Sequence, residues 1–136
     1  MSNRAIRILV VGCGNMGASH AKAYHDFDDF EIVGLVARGD SKIKLNEVLN
    51  ADYPLFNDYD EALRITSPDA VCISTYPDTH EEYAVKAFQC GAHVFIEKPL
   101  ADTVIGAKRV VEAANQANKK LVVGYILRHH PSWIRF

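Results

Sequence analysis

The chain has 136 residues, of which 49% are apolar and 24% charged, and its formal net charge is −2. That length suits one domain of ordinary size, and the balance is that of a globular chain rather than a disordered one. The charge lacks the basic footprint of a nucleic-acid binder, and no run reaches the ~18 apolar residues that a membrane-spanning helix needs.

Taken in chain order, short apolar runs rich in Val and Ile alternate with longer amphipathic ones. The apolar runs, at residues 6–11, 31–36, 70–74, 93–96 and 121–123, predict buried parallel strands. A weaker strand is predicted at 55–56, where Pro54 favours a strand start or a sheet edge. Helices are predicted at 16–27, 41–49, 59–65, 79–90 and 104–118. Asp58 with Glu61, and Thr79 with Glu82, resemble capping boxes. Tyr83, Ala84, Ala87 and Phe88 form one apolar stripe, and Val104, Ala107, Val111 and Ala114 form another. Gly91 stands where a left-handed residue closes a helix.

Strand and helix alternating through six strands is the pattern of an α/β fold with a doubly wound parallel sheet in three layers. Such a sheet takes strand order 3-2-1-4-5-6, with a ligand crevice at the carboxyl ends of strands 1 and 4. The dinucleotide-binding domain is expected to cover residues 1–124, with residues 125–136 beginning a further domain for substrate and oligomerisation. The run 6–11 is shorter than a secretory apolar region. Cys13, Cys72 and Cys90 are odd in number and contain no C-x-x-C pair, which predicts reduced thiols and a cytoplasmic protein. No metal is expected, because His129 and His130 are adjacent and no Cys or carboxylate cluster joins them.

The segment Gly12-Cys13-Gly14-Asn15-Met16-Gly17 lies between the first strand and the first helix. In that context G-x-G-x-x-G predicts a phosphate cradle: Gly12 permits the turn, Gly14 lets backbone approach a pyrophosphate, and Gly17 allows helix-on-strand packing. Free N–H groups at the helix start, Asn15 and Met16 among them, would face the phosphates. About 20 residues beyond, an NAD site places Asp or Glu at the end of strand 2. Here that position is Ala37, followed by Arg38. A guanidinium binds a 2′-phosphate that a carboxylate would repel, so NADP(H) is favoured. NAD(H) remains the alternative, with Asp40 reaching the ribose.

Two further segments, Ser74-Thr75-Tyr76-Pro77-Asp78-Thr79-His80 and Glu97-Lys98-Pro99, follow strands 4 and 5. With the glycine loop they resemble the glucose–fructose oxidoreductase/inositol dehydrogenase (Gfo/Idh/MocA) family over essentially the whole chain. The resemblance implies an NAD(P)-binding domain of a longer dehydrogenase or reductase acting on a sugar, polyol or similar hydroxyl/carbonyl compound. It implies that Ser74, Thr75 and Tyr76 lie beside the cofactor, with His80 at the following helix start. Glu97 and Lys98 would reach the nicotinamide ribose and the reacting carbon, with Pro99 in the cis form.

Lys98 is the catalytic candidate, because an ammonium can polarise a substrate oxygen and stabilise developing alkoxide. The family's Asp-x-x-x-His pair is absent, since no Asp in this chain has a His four positions later. Catalysis and any homo-oligomer would therefore need the further domain. A non-catalytic NAD(P) sensor or interaction module is the alternative function. A methyltransferase using the same loop leaves Glu97-Lys98-Pro99 unexplained.

Overall fold

The computed structural model describes residues 4–124. Residues 125–136, where a further domain is expected to start and where His129 and His130 fall, lie outside the described residues. Strands β1 (Ile6–Val11), β2 (Phe30–Val36), β3 (Leu55–Phe56), β4 (Ala70–Ile73), β5 (His93–Glu97) and β6 (Leu121–Gly124) form one sheet in the order β3-β2-β1-β4-β5-β6. Every neighbouring pair is parallel. The predicted fold class and strand order are those observed. The two-residue strand β3 is an edge strand, and the carbonyl of Pro54 before it accepts a hydrogen bond from Leu35 N at 2.9 Å. Proline serves there because the position needs only an acceptor.

Helices α1 (Asn15–Asp26), α2 (Ser41–Leu49), α3 (Tyr59–Thr66), α4 (Pro77–Gln89) and α5 (Val104–Ala117) cover the sheet. Alternation along β1 divides the core in two. Ile8 and Val10 pack with Ala21 of α1 and Leu45 and Leu49 of α2. Leu9 and Val11 pack with Leu63 of α3, Phe88 of α4 and Val110 of α5. Phe88 has only 2% of its surface exposed, and truncating such a side chain to Ala costs about 3–5 kcal/mol.

The helix ends refine the sequence reading. Asp58 caps α3 by accepting from Asp60 N at 3.1 Å, and Thr103 caps α5 by accepting from Gly106 N at 2.9 Å. The capping box predicted at Thr79 is not formed, because α4 begins at Pro77, with Tyr76 as its N-cap. Proline at the first helical position has a preset φ and no N–H left to satisfy. Thr79 is thus already helical, and its hydroxyl donates to the Tyr76 carbonyl at 2.7 Å.

The stripe expected on α5 is also displaced. Val104 is 72% and Val111 43% exposed, whereas Gly106, Val110 and Ala114 are buried. Gly106, Val110 and Ala114 recur every four residues and face inward, Val110 and Ala114 joining the cluster that holds Phe88 of α4, while Val104, Ile105 and Val111 stay exposed. No helix among the described residues is long and apolar enough to cross a membrane.

Candidate cofactor site

A parallel sheet gathers all its carboxyl ends along one edge, and the loops there are stitched together by the main chain. Gly12 N donates to Val36 O at 2.9 Å, Ser74 N to Val11 O at 2.8 Å, and Ala37 N to Phe56 O at 3.1 Å. Between these loops lies a cleft of about 580 Å3, lined by Gly12 and Gly14, by Ala37, Arg38, Gly39 and Ser41, and by Ser74, Thr75 and Tyr76. A larger groove of about 770 Å3 runs between α4 and α5 and shares no lining residue with this cleft. It lies away from the strand ends and gathers none of the motif residues.

The glycine loop is shaped for close approach. Gly12 has φ +93°, and a Cβ there would stand 2.5 Å from the Ser74 carbonyl oxygen. At Gly17 a Cβ would stand 1.9 Å from Gly12 O, so only glycine lets α1 leave the loop at this angle. At Gly14, the N-cap of α1, a Cβ would meet nothing within 4 Å, and no side chain caps the helix. Open backbone, an uncapped first turn and the positive end of the helix together suit a pyrophosphate. These residues therefore fit a dinucleotide. Asn15 and Met16 are exposed in that first turn, next to the cleft.

At the end of β2, Ala37 lines the cleft where an acidic residue would hold a ribose diol, and exposed Arg38 follows it. Asp40 is the N-cap of α2 and is not part of the lining. Lys42 is buried, with its ammonium donating to Ala37 O at 2.9 Å and Gly39 O at 2.7 Å. Burial pushes the Cys13 thiol up to about 11, partly offset by Lys42, so Cys13 is held as a thiol rather than as a reactive thiolate.

Ser74 and Thr75 are half-buried and Tyr76 is 82% exposed at the mouth. His80 has no exposed surface and lies beneath the cleft rather than in its lining. Its Nδ1 is 2.6 Å from Pro99 O and its Nε2 is 3.1 Å from Thr75 O, so the ring stands between the loop after β4 and the loop after β5, with either nitrogen able to donate according to tautomer. Glu97 ends β5, buried, with Oε1 2.5 Å from His20 Nε2. Lys98 is exposed beside it, and the Lys98–Pro99 peptide is cis.

Sequence reasoning passed over three residues. His20 stands one helical turn past Gly17, a spacing that could have flagged it. Lys42 reads as an ordinary helix-surface lysine. Tyr59 lines the cleft beside Tyr83, their rings 4.4 Å apart, and its hydroxyl donates to Tyr83 O at 2.7 Å. Among the described residues no group of three or more His, Cys, Asp or Glu is placed to hold a metal ion.

Fold and cleft together define a nucleotide-binding α/β domain of the Rossmann type. Residues 6–125 match the model of the Gfo/Idh/MocA oxidoreductase family, NAD-binding Rossmann fold, and the chain belongs to that family. It is 32% identical to inositol 2-dehydrogenase of Paracoccus denitrificans, over 95% of this chain and 39% of that protein. It is 34% identical to inositol 2-dehydrogenase of Agrobacterium fabrum, again over 95% of this chain and 39% of the relative. Among solved structures, GenD2 from gentamicin A biosynthesis in complex with NAD superposes with a TM-score of 0.86 at 27% identity, covering 97% of this chain and 38% of GenD2. The chain thus spans about two fifths of the length of these relatives.

Proposed function

We propose that this chain is the cofactor domain of a longer NAD(P)-dependent dehydrogenase that prefers NADP(H) and acts on a sugar, polyol or related hydroxyl/carbonyl compound. The observation that carries the cofactor preference is the wall at the end of β2, where Ala37 and Arg38 line the cleft and Asp40 does not. A guanidinium there gives a 2′-phosphate charged hydrogen bonds, and no carboxylate on that wall repels it. The polyol class is supported by the inositol 2-dehydrogenase relatives.

In this reading Gly12, Gly14 and Gly17, with the first-turn amides of Asn15 and Met16, hold the pyrophosphate. Ser74, Thr75 and Tyr76 flank the cofactor, and His80 sets the Thr75 and Pro99 carbonyls from below. Glu97 orients the nicotinamide ribose, and a nicotinamide held there would supply or accept hydride. Lys98 is the catalytic residue: its ammonium polarises the substrate oxygen and lowers the cost of charge developing there. The substrate wall, and any subunit contact, would come from chain following residue 124. The three free cysteines fit a reducing compartment such as the cytoplasm.

Calorimetric titration of the chain with NADPH and NADH at one fixed salt tests this. NADPH should bind more tightly, and Arg38→Ala should abolish the difference. Equal or tighter NADH binding would overturn the phosphate preference. A folded chain that bound neither would leave an interaction module as the better account.

A further inference from the structure

The cleft at the strand ends does not extend to Glu97 or Lys98, which stand outside its lining. A dinucleotide that reaches from the glycine loop to Glu97 therefore needs two separate parts of the fold held in a fixed relation. His20 ties them. It stands one helical turn past Gly17 on α1, and its Nε2 is 2.5 Å from Glu97 Oε1 at the end of β5. Opposite an ionised carboxylate, which can only accept, Nε2 is the donor.

The carboxylate sits in a slot shaped on both sides. Phe95 and Glu97 alternate onto one face of β5, and the His20 ring stands edge-on to Phe95 with centroids 4.8 Å apart. On β6, Gly124 is the register partner of Glu97. A Cβ at Gly124 would stand 3.1 Å from Glu97 Oε1 and 3.3 Å from its Cδ, so the bare backbone leaves the carboxylate its room. Glu97 is buried, and among the described residues its carboxylate is hydrogen-bonded through Oε1 alone.

We propose that His20 is a positioning residue for the nicotinamide end of the cofactor. Its ring fixes Oε1 of Glu97, and Oε2 is left to accept from a ribose hydroxyl. A carboxylate already held in place loses less rotamer freedom when a ligand binds. Because α1 also leaves the glycine loop, one helix sets both the pyrophosphate cradle and the aim of Glu97. The proposal rests on the cofactor reading above and holds for NADH and NADPH alike.

The test compares each dinucleotide with its own nucleoside diphosphate half: NADH with ADP, and NADPH with adenosine 2′-phosphate 5′-diphosphate. The halves keep the adenosine and both phosphates and lack the nicotinamide ribose. The chain is titrated with all four, as wild type, His20→Ala and His20→Gln, with thermal unfolding as the control for folding. In His20→Ala the dinucleotide affinity should fall about tenfold, the worth of one well-aimed hydrogen bond to a charged group, and that of the halves by less than about twofold. His20→Gln, whose amide can still donate to the carboxylate, should recover most of the loss. If His20→Ala does not fold, His20→Leu, which keeps bulk against Phe95 and has no donor, carries the same test. Equal loss of dinucleotides and halves in a folded variant overturns the proposal, reducing His20 to support of the glycine loop. Unchanged dinucleotide affinity overturns it, and so does a loss that His20→Gln leaves in full. Wild-type chain that binds a dinucleotide no more tightly than its half also overturns it, while keeping the phosphate site. Wild-type chain that is folded and binds none of the four removes the cofactor reading, and the proposal with it.

Discussion

The carboxylate of Glu97, at the end of β5, lies 2.5 Å from the ring of His20 on α1, across 77 residues of sequence. This contact joins the helix that leaves the glycine loop to the strand that presents Lys98. The His20 ring is held edge-on to Phe95, with centroids 4.8 Å apart, so its aim is fixed by packing as well as by the hydrogen bond. His20→Ala strands a buried carboxylate, which should cost about 1–3 kcal/mol in urea unfolding. Glu97→Gln should cost less, because an amide can still bond to the ring. In a double-mutant cycle the two changes should couple by at least ~0.5 kcal/mol. Strict additivity would mean the contact carries no energy.

Gly14 and Gly17 belong to one motif yet should fail in different ways. A Cβ at Gly17 would stand 1.9 Å from Gly12 O, so Gly17→Ala must displace α1 or the loop and should lower the unfolding midpoint sharply. A Cβ at Gly14 meets nothing within 4 Å, so Gly14→Ala should leave stability within about 1 kcal/mol of wild type. Its methyl would instead enter the open backbone at the start of α1, where we propose that the pyrophosphate lies. Dinucleotide affinity should therefore fall in Gly14→Ala without loss of fold, which thermal melts and titration read separately. Unchanged affinity would show that the phosphates pass elsewhere.

His93 gives the fold a predictable response to acid. Burial first, and then Lys119 and Lys120, hold its pKa below the usual value of 6.5. Its Nδ1 also accepts a hydrogen bond from Lys120 N at 3.0 Å, a bond available only while that nitrogen is unprotonated. The folded state thus takes up this proton less readily than the unfolded chain. The resulting penalty is absent above about pH 6.5 and grows as pH falls from there toward the lower, folded-state pKa. Replacing His93 with Gln should flatten the fall in melting temperature over that interval. A wild-type slope in the variant would remove His93 as its source.

Much of the sheet was legible because its signals are local. The Val- and Ile-rich runs mark β1, β2, β4, β5 and β6, and Pro54 marks an edge. The glycine loop is legible for the same reason, since a positive φ at Gly12 and the fit at Gly17 restrict which residues can stand there. What stayed hidden depends on partners distant in sequence. Nothing around His20 announces Glu97, and nothing around Lys42 announces that the Ala37 and Gly39 carbonyls will enclose it. On α5 Val110 and Val111 are adjacent and equally apolar, and only tertiary packing distinguishes the buried Val110 from the exposed Val111. At Thr79 a local capping signal competes with Pro77, whose fixed φ starts the helix two residues earlier.

His80 brings these distant ties to the cleft itself. Its two ring nitrogens face the carbonyls of Thr75 and Pro99, and the ring has no exposed surface. His80→Ala removes the ring between the two carbonyls and leaves a void, at a cost of about 2–5 kcal/mol. Because Thr75 lines the cleft and Pro99 adjoins Lys98, the loss should also reach function. Dinucleotide affinity should drop together with stability. His80→Gln can restore at most part of this, since a flexible amide does not span both carbonyls as the ring does. Urea unfolding and titration of the two variants give the test, and affinity equal to wild type in a destabilised His80→Ala would confine His80 to the support of the fold.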